Sequence, residues 1–277
     1  ERSDEVPVFG GDVEVADDFH RSRIATAQTP LVGEAHAKMV VPPDARGGFE
    51  FWEGFEGGFL INDPWLHGSR IERPMRFAGY QSDVVGGRAA AWTAGFGSRK
   101  TDDAHSETEL GNDRPWFCVV RLEPPHPPYD APAAGVVARD PRAIELAPNV
   151  PRGGDVEARA RRELAGYYAH IEATDRAIGR LIATLDQEET RRGRRVPIVV
   201  FTSVHGDMHG AHGLFRKGWP YEESVRVPLL IRGPRAEDRG RTDDRAVSLV
   251  DLAAMTLAWA DGRTPNTGRP HSLISMP

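Results

Sequence analysis

The segment 198–213 has the sequence IVVFTSVHGDMHGAHG, in which an apolar run passes abruptly into a loop of glycine and histidine. The β-branched and aromatic residues of the run predict a buried strand of a parallel sheet. In open α/β sheets, ligands bind beyond the carboxyl ends of the strands. The loop therefore predicts a functional site, with Lys217 shortly after it and with Val204 where a polar residue is expected to emerge from the sheet.

The composition is that of an ordinary globular chain, 277 residues long and with a formal net charge of -6. Hydrophobic residues make up 39% of the chain, which is enough to bury a core of useful size. The negative net charge argues against a nucleic-acid partner or a membrane-surface partner. Neither a signal peptide nor a membrane-spanning run is visible, so we expect a cytoplasmic location.

Segments with strand patterns alternate with segments of helical spacing. This alternation predicts an α/β fold with a mostly parallel sheet sandwiched by helices, in one domain over residues 1–277. Residues 1–23 are weakly patterned, and residues 261–277 look like a tail. Besides the strand in 198–203, further strands are predicted over 29–33, 116–122 and 227–231. Helices are predicted over 80–107, over 155–189 with Asp155 as its cap, and over 248–260.

Histidines follow the predicted strands at three places. His36 comes after 29–33, His126 lies in a run of prolines after 116–122, and His205 follows the strand in 198–203. Proline on both sides of His126 fixes the backbone and ends the strand ladder. Because strand ends converge at one edge of a sheet, these histidines and Lys217 are candidate site residues.

A loop over residues 41–70 is rich in aromatic side chains and shows little periodicity. Long loops of this kind often line binding sites, but the same aromatics could instead pin an irregular loop to the core. From this loop and the neighbouring site segments we take the candidate residues of a substrate pocket, which are Glu34, Trp65, His67, His209 and His212.

The sequence from Phe201 onward resembles the type I sulfatases of the alkaline phosphatase superfamily. The resemblance is carried by FTSxHGDMxGxHGL over 201–214, by the Lys217-Gly218 pair, and by PYEESVRVP over 220–228. The run PPHPPY over 124–129 is similar to the histidine loop of that family. The segment Gly33-x-x-His36 is similar to its Gly-Lys-Trp-His segment, and the whole resemblance covers about 24–260.

The resemblance implies a sulfatase-like, alkaline-phosphatase-like fold and hydrolysis of sulfate esters, or of phosphate and phosphonate esters in relatives. It also implies a divalent cation, usually Ca²⁺, held by oxygen ligands, and a formylglycine nucleophile made from a Cys/Ser-x-Pro-x-Arg segment. His36, His126, His205 and Lys217 match active-site positions of the family. The resemblance therefore implies a catalytic role for these four residues.

Several positions depart from the family pattern. Val204 stands where the family has a metal-binding aspartate, and Glu34 stands where it has a lysine. No Cys/Ser-x-Pro-x-Arg segment occurs in this sequence, and Asp17-Asp18 is the sole candidate for the family's N-terminal aspartate pair. These departures predict an N-terminally reduced fold, and ordinary sulfatase activity from this chain by itself is not expected.

The histidines allow three interpretations. Two of them are metal sites, and the third is a proton-transfer site without a metal. A zinc site within the loop would use His205, His209 and His212, although the intervening glycines make a helical ligand spacing unfavourable. A rebuilt transition-metal site would use His36, His126 and His205 from three strand ends. Neutral histidines could instead transfer protons without a metal.

Three hypotheses for function remain open. In the first, the chain is a divergent enzyme that acts on a small anionic molecule through a pocket of histidine and lysine. In the second, it is a catalytically inactive pseudoenzyme or partner subunit, with a homo-oligomer or a companion chain covering its surface. In the third, it is a sulfate-ester or phosphate-ester hydrolase whose nucleophile segment lies outside this chain.

Overall fold

A computed structural model describes residues 13–15, 34–95, 115–193, 197–233 and 240–263. The chain forms two compact units, one made of Glu1–Val196 with Val200–Leu230 and the other of Pro197–Val199 with Ile231–Pro277. All candidate site residues lie in the first unit. Within the described ranges, no helix has both the length and the apolar character needed to cross a membrane.

Four strands form an antiparallel sheet in the first unit. They are β1 (Val13–Val15), β2 (Glu53–Gly54), β3 (Trp65–Gly68) and β4 (Ile71–Phe77), in the order β1-β4-β3-β2. All three pairings are antiparallel, so the mostly parallel sheet that the sequence predicts is not found among these strands. The reason is local. Only Ser69 and Arg70 join β3 to β4, whereas a parallel pair needs a crossover of about a dozen residues or more.

The strand that opens the site loop is confirmed. It is β5 (Val199–Thr202), which pairs with β6 (Leu229–Arg232) in a two-stranded sheet. Its predicted burial is wrong, because no residue of β5 is fully buried and Phe201 is 40% exposed. An apolar run shows what can be buried, whereas tertiary packing decides what covers it. The strand predicted over 116–122 is wrong, because these residues belong to no strand of the described part of the chain. A strand needs a partner for its ladder, and an apolar run does not specify one. The strand predicted over 29–33 lies outside the described residues.

Two long helices pack together in the first unit, α2 (Gln81–Gly95) and α3 (Asp155–Arg191). The prediction of α3 is confirmed, but Gly154 occupies its N-cap position and Asp155 is its first helical residue. The predicted helix over 80–107 corresponds to α2, and its predicted part beyond Gly95, residues 96–107, lies outside the described residues. The buried face of α3 carries mainly small side chains, which lets neighbouring segments approach its backbone closely.

Short helices complete the described structure. They are α1 (Glu34–Ala37), α4 (Glu222–Val225) and α5 (Leu252–Ala260), with single turns of 3-10 helix at Pro43–Ala45, Pro141–Ala143, Ala211–Gly213 and Leu249–Asp251. The helix predicted over 248–260 is thus confirmed as a 3-10 turn followed by α5. His36 lies within α1, which begins directly after the segment 29–33, so its predicted place at a strand end stays a prediction.

Candidate functional site

His126 and Lys217 meet at the surface of the first unit. Lys217 Nζ lies 3.1 Å from His126 Nε2, although the two residues are 91 positions apart in the chain. His126 Nδ1 lies 2.9 Å from the carbonyl oxygen of Pro127. A lysine ammonium can only donate, so Nε2 accepts and Nδ1 carries the proton that is donated to Pro127. The contacts therefore define a neutral His126 with one specific tautomer.

The surroundings of His126 favour that neutral form. Burial lowers the pKa of His126, and the positive charges of Lys217 and Arg216 lower it further, against an opposing hydrogen bond to Pro127. Phe59 stacks on the imidazole, with ring centroids 4.6 Å apart and planes at 8°. The ring is thus held in place with Nε2 directed to the lysine.

A buried carboxylate ties together the two loops that carry His126 and Lys217. The hydroxyl of Tyr129 donates to Asp207 Oδ2 at 2.6 Å. Asp207 Oδ1 accepts hydrogen bonds from the backbone N–H of His209 at 3.0 Å and from that of Arg216 at 2.9 Å. Burial alone would raise the pKa of Asp207, but the neighbouring His209 and these hydrogen bonds lower it overall. We call this arrangement the Asp207 clamp.

Helix α3 contacts two members of the Asp207 clamp, Arg216 and Tyr129. Glu163 accepts two hydrogen bonds from Arg216, at 2.6 Å and 3.1 Å. At Gly166 the helix backbone lies against Tyr129, and an added Cβ would come to 1.8 Å from the carbonyl oxygen of Tyr129. This position therefore requires glycine for packing rather than for a special backbone conformation.

Replacing Gly166 with alanine is expected to destabilise the protein by about 1 to 3 kcal/mol, because a backbone carbonyl would have to move. Alanine is by itself the better helix former, by about 1 kcal/mol, so the clash must outweigh a favourable change. Gly179 in the same helix has nothing within 4 Å of an added Cβ, and Gly179→Ala is expected to stabilise by up to about 1 kcal/mol. Urea unfolding followed by circular dichroism measures the free energy of unfolding of both variants. Equal changes in Gly166→Ala and Gly179→Ala would contradict the close contact at Gly166.

An open cleft of about 760 Å³ runs from His126 to the amino-terminal part of α3. Its side chains carry three guanidinium groups and two carboxylates in addition to aromatic rings and the imidazole. The lining residues are Gly58, Phe59, His126, Pro127, Pro128, Tyr129, Asp130, Arg159, Arg162, Glu163 and Arg216. The volume falls in the range of small-molecule sites, about 300 to 1,000 Å³.

The three histidines of the glycine-rich loop have separate surroundings. His205 Nδ1 lies 2.8 Å from the carbonyl oxygen of Gly206. His209 is buried beside the rings of Tyr129 and Tyr167, at centroid distances of 5.3 Å and 4.4 Å. His212 stacks on Tyr221 at 4.4 Å, and its Nε2 lies 3.2 Å from Asn149 Nδ2.

The candidates nearer the amino terminus are not among the residues that line the cleft. His36 is 6% exposed and packs against Gly57, where an added Cβ would come to 2.5 Å from the imidazole. Glu34 is exposed and pairs with Lys38 at 2.7 Å. Trp65 and His67 are each 1% exposed in β3, and burial together with the charge of Arg46 lowers the pKa of His67 to about 4. The structure places these two side chains in the core of the antiparallel sheet.

Sequence reasoning missed the residues that shape the cleft and hold its loops. They are Tyr129, Asp207, Arg159, Arg162, Glu163 and Arg216. The spacing of Arg159, Arg162 and Glu163 on a predicted helix was an available signal, because residues three and four apart share a helix face. The partnership of Asp207 with Tyr129 left no signal, because it joins residues 78 positions apart.

The described residues do not by themselves fit a divalent cation. Val204 has no donor atom, and its side chain is exposed at 84%. The oxygens of Asp207 already accept from Tyr129 and from two backbone N–H groups. Within the described ranges, no three His, Cys, Asp or Glu side chains form a group that could hold a metal ion. Neither His36, His126 and His205 nor His205, His209 and His212 therefore form a metal-binding group in the described structure. Asp17-Asp18 lies outside the described residues.

Comparison with known proteins identifies the family. The family model Sulfatase matches residues 99–262. The chain is 31% identical over 230 residues to the ulvan-active sulfatase of Formosa agariphila. The aligned region covers 81% of this chain and 41% of that protein. It is 32% identical over 194 residues to the choline-sulfatase of Rhizobium meliloti, covering 60% of this chain and 36% of that protein. The chain belongs to the sulfatase family, as the resemblance predicted.

A solved structure confirms the fold class. The crystal structure of the yidJ protein from Bacteroides fragilis superposes with a TM-score of 0.66 at 25% identity, over 84% of this chain and 49% of that chain. The α/β, sulfatase-like fold class predicted from the sequence is therefore confirmed. The chain spans about two-fifths of the length of the curated relatives named above.

Proposed function

We propose that this chain is part of a divergent sulfatase-family enzyme that acts on a small anionic molecule, with His126, His205 and Lys217 as the site residues and His36 as a further candidate. The observation that carries the proposal is the contact of Lys217 with the neutral His126 beside a cleft. A lysine ammonium has three N–H donors, and only one of them points to His126. The remaining donors are suited to an oxyanion.

The two side chains have complementary roles in this proposal. Lys217 binds and orients the anionic group, and its charge stabilises negative charge that develops during reaction. His126 Nε2 accepts a proton when the ammonium turns from it to the ligand, because its lowered pKa keeps it unprotonated near neutral pH. His205 is the third site residue, and its Nδ1 lies 2.8 Å from the carbonyl oxygen of Gly206. Sulfate esters are the proposed substrate class, in line with the names of the two curated relatives.

A second candidate is a conventional sulfate-ester hydrolase whose nucleophile and metal ligands come from sequence outside this chain. This candidate is favoured by the length of the match, because the chain aligns with only 41% of the ulvan-active sulfatase. In that case the residues described here would bind the anion. A homo-oligomer or a companion chain stays a prediction of the sequence.

Replacing Lys217 with methionine tests the proposal through the imidazole of His126. In the wild type, His126 is expected to titrate below 6.5, and inorganic sulfate is expected to shift its ring signals in ¹H–¹⁵N NMR spectra. Loss of the ammonium removes a charge that disfavours imidazolium, so the pKa of His126 should rise. Sulfate should bind about tenfold more weakly, since a charge-assisted contact is lost.

The matched control is Lys38→Met, which removes a lysine that pairs with Glu34 and lies 4.5 Å from the Trp65 ring centroid. This variant should leave both the titration and the sulfate response of His126 unchanged. A Lys217→Met variant with the wild-type pKa and the wild-type sulfate affinity would overturn the proposed role of the pair.

A further inference from the structure

Two arginines of α3 face the cleft that contains His126. Arg159 and Arg162 are three residues apart, and residues at this spacing are neighbours on one helix face. Both line the cleft together with His126. The helix thus presents two guanidinium groups to the same open volume as the proposed reaction site.

Arg159 is held in place but retains free donors. Its Nε donates to Glu163 Oε1 at 2.9 Å, and its guanidinium lies 3.8 Å from the centroid of the Phe215 ring. Its two terminal amino groups make no hydrogen bond to another residue of the described part of the chain. A fixed guanidinium with open donors binds an oxyanion without first having to be ordered.

Arg162 forms no ion pair or hydrogen bond with any other described residue, and its side chain is exposed. Single exposed arginines are common on helices. This one differs because it lies in a cleft beside a second guanidinium. The planar fork of five N–H donors fits a carboxylate or sulfate through two parallel hydrogen bonds.

The carboxylates of the cleft leave the arginine pair available. Glu163 is occupied by Arg216 and by Arg159 Nε. Asp130 lines the cleft as the second carboxylate. Three guanidinium groups against two carboxylates leave an excess of one positive charge among the lining residues, before Lys217 is counted. The potential of the cleft therefore favours an anion.

We propose that Arg159 and Arg162 form a second anion-binding site. This inference rests on the proposed function and names its substrate class. The ligand carries two anionic groups, one bound by Lys217 beside His126 and the other by the arginine pair. A sulfated sugar with a second sulfate or with a carboxylate has this chemistry, and a single sugar unit suits a cleft of about 760 Å³.

The test compares one-anion and two-anion ligands in NMR titrations at constant ionic strength, read at the His126 imidazole. The probes are glucose 6-sulfate, glucose 3,6-disulfate and glucuronic acid 3-sulfate. We expect at least one two-anion probe to bind about tenfold more tightly than glucose 6-sulfate, because a second charge-assisted contact forms. The two-anion probe that binds better tells whether the second group is a sulfate or a carboxylate.

Arg162→Gln is expected to abolish this preference, and to weaken the binding of glucose 6-sulfate much less than that of the two-anion probe, because glucose 6-sulfate has no second anionic group to lose its contact. Arg162 is the better target, since Arg159 also holds Glu163. Arg73→Gln is the matched control, because Arg73 is an exposed arginine of β4 that is not among the lining residues, and it should change neither affinity.

The outcomes separate the two proposals. If the wild type binds all three probes equally, or if Arg162→Gln retains the preference, the second anion site is overturned and the proposed function stands. If no probe shifts the His126 signals, the pocket of the proposed function fails and the second site fails with it.

Discussion

Replacing His126 with alanine is expected to lower kcat/KM for a small anionic ester by about 100-fold to 10,000-fold, the range that a positioned proton-transfer group contributes. The reason is the geometry of Nε2, which accepts from Lys217 and has a lowered pKa. The assay uses p-nitrophenyl sulfate, p-nitrophenyl phosphate and a p-nitrophenyl phosphonate. The ester that the wild type hydrolyses fastest is the probe for the variant.

Free imidazole distinguishes a chemical role from a structural one. It should restore part of the activity of His126→Ala, because the space beside Phe59 can admit a ring that again provides a nitrogen acceptor. Arg73→Ala, which changes an exposed residue outside the cleft lining, should keep wild-type activity. Undiminished turnover by His126→Ala would refute the role of His126. A wild type that hydrolyses none of the esters would instead favour the pseudoenzyme hypothesis or a nucleophile that comes from outside this chain.

Replacing Asp207 with alanine is expected to lower the free energy of unfolding by about 3 kcal/mol or more, because three donors lose their acceptor and each unsatisfied buried donor costs about 1 to 3 kcal/mol. The side chain of Asp207 is 9% exposed. Its loss leaves the Tyr129 hydroxyl and the N–H groups of His209 and Arg216 without their acceptor. Urea unfolding at pH 7 measures the effect.

The effect of Asp207 depends on pH in a defined direction. The pKa of Asp207 in the folded protein is below the ordinary value of 3.8, so its stabilisation is complete above that value. It is lost as the pH falls through the folded pKa, and the difference between wild type and Asp207→Ala should shrink there. Asp175→Ala, at an exposed position of α3, should change stability by less than about 0.5 kcal/mol. A loss below about 1 kcal/mol for Asp207→Ala would contradict the clamp.

Patterns within short stretches predicted the elements that local chemistry controls. The apolar run before His205 forms β5, and the helical spacing over 155–189 forms α3. The motif around His205 and Lys217 also indicated the family, which the family model confirms. Such features follow from neighbouring residues, because backbone conformation and side-chain periodicity are set locally.

Features that depend on distant partners were predicted poorly. The run 116–122 has the composition of a strand but belongs to none in the described part of the chain. His67 is a residue type that often occurs in functional sites. It is nevertheless 1% exposed, and its Nε2 accepts a hydrogen bond from the backbone N–H of Val41 at 2.8 Å. Residue type shows what a side chain can do, whereas burial and partners depend on the packing of the whole unit.

The sequence by itself determined the family, the α/β class and the histidine- and lysine-bearing loops of the site. Only the tertiary structure decided which candidates meet. It brought Lys217 to His126, joined their loops through Asp207, and placed Arg159 and Arg162 in the same cleft. The physical reason is that these contacts join residues far apart in the chain. They form only where side-chain volume permits close packing, as at Gly166 beneath Tyr129.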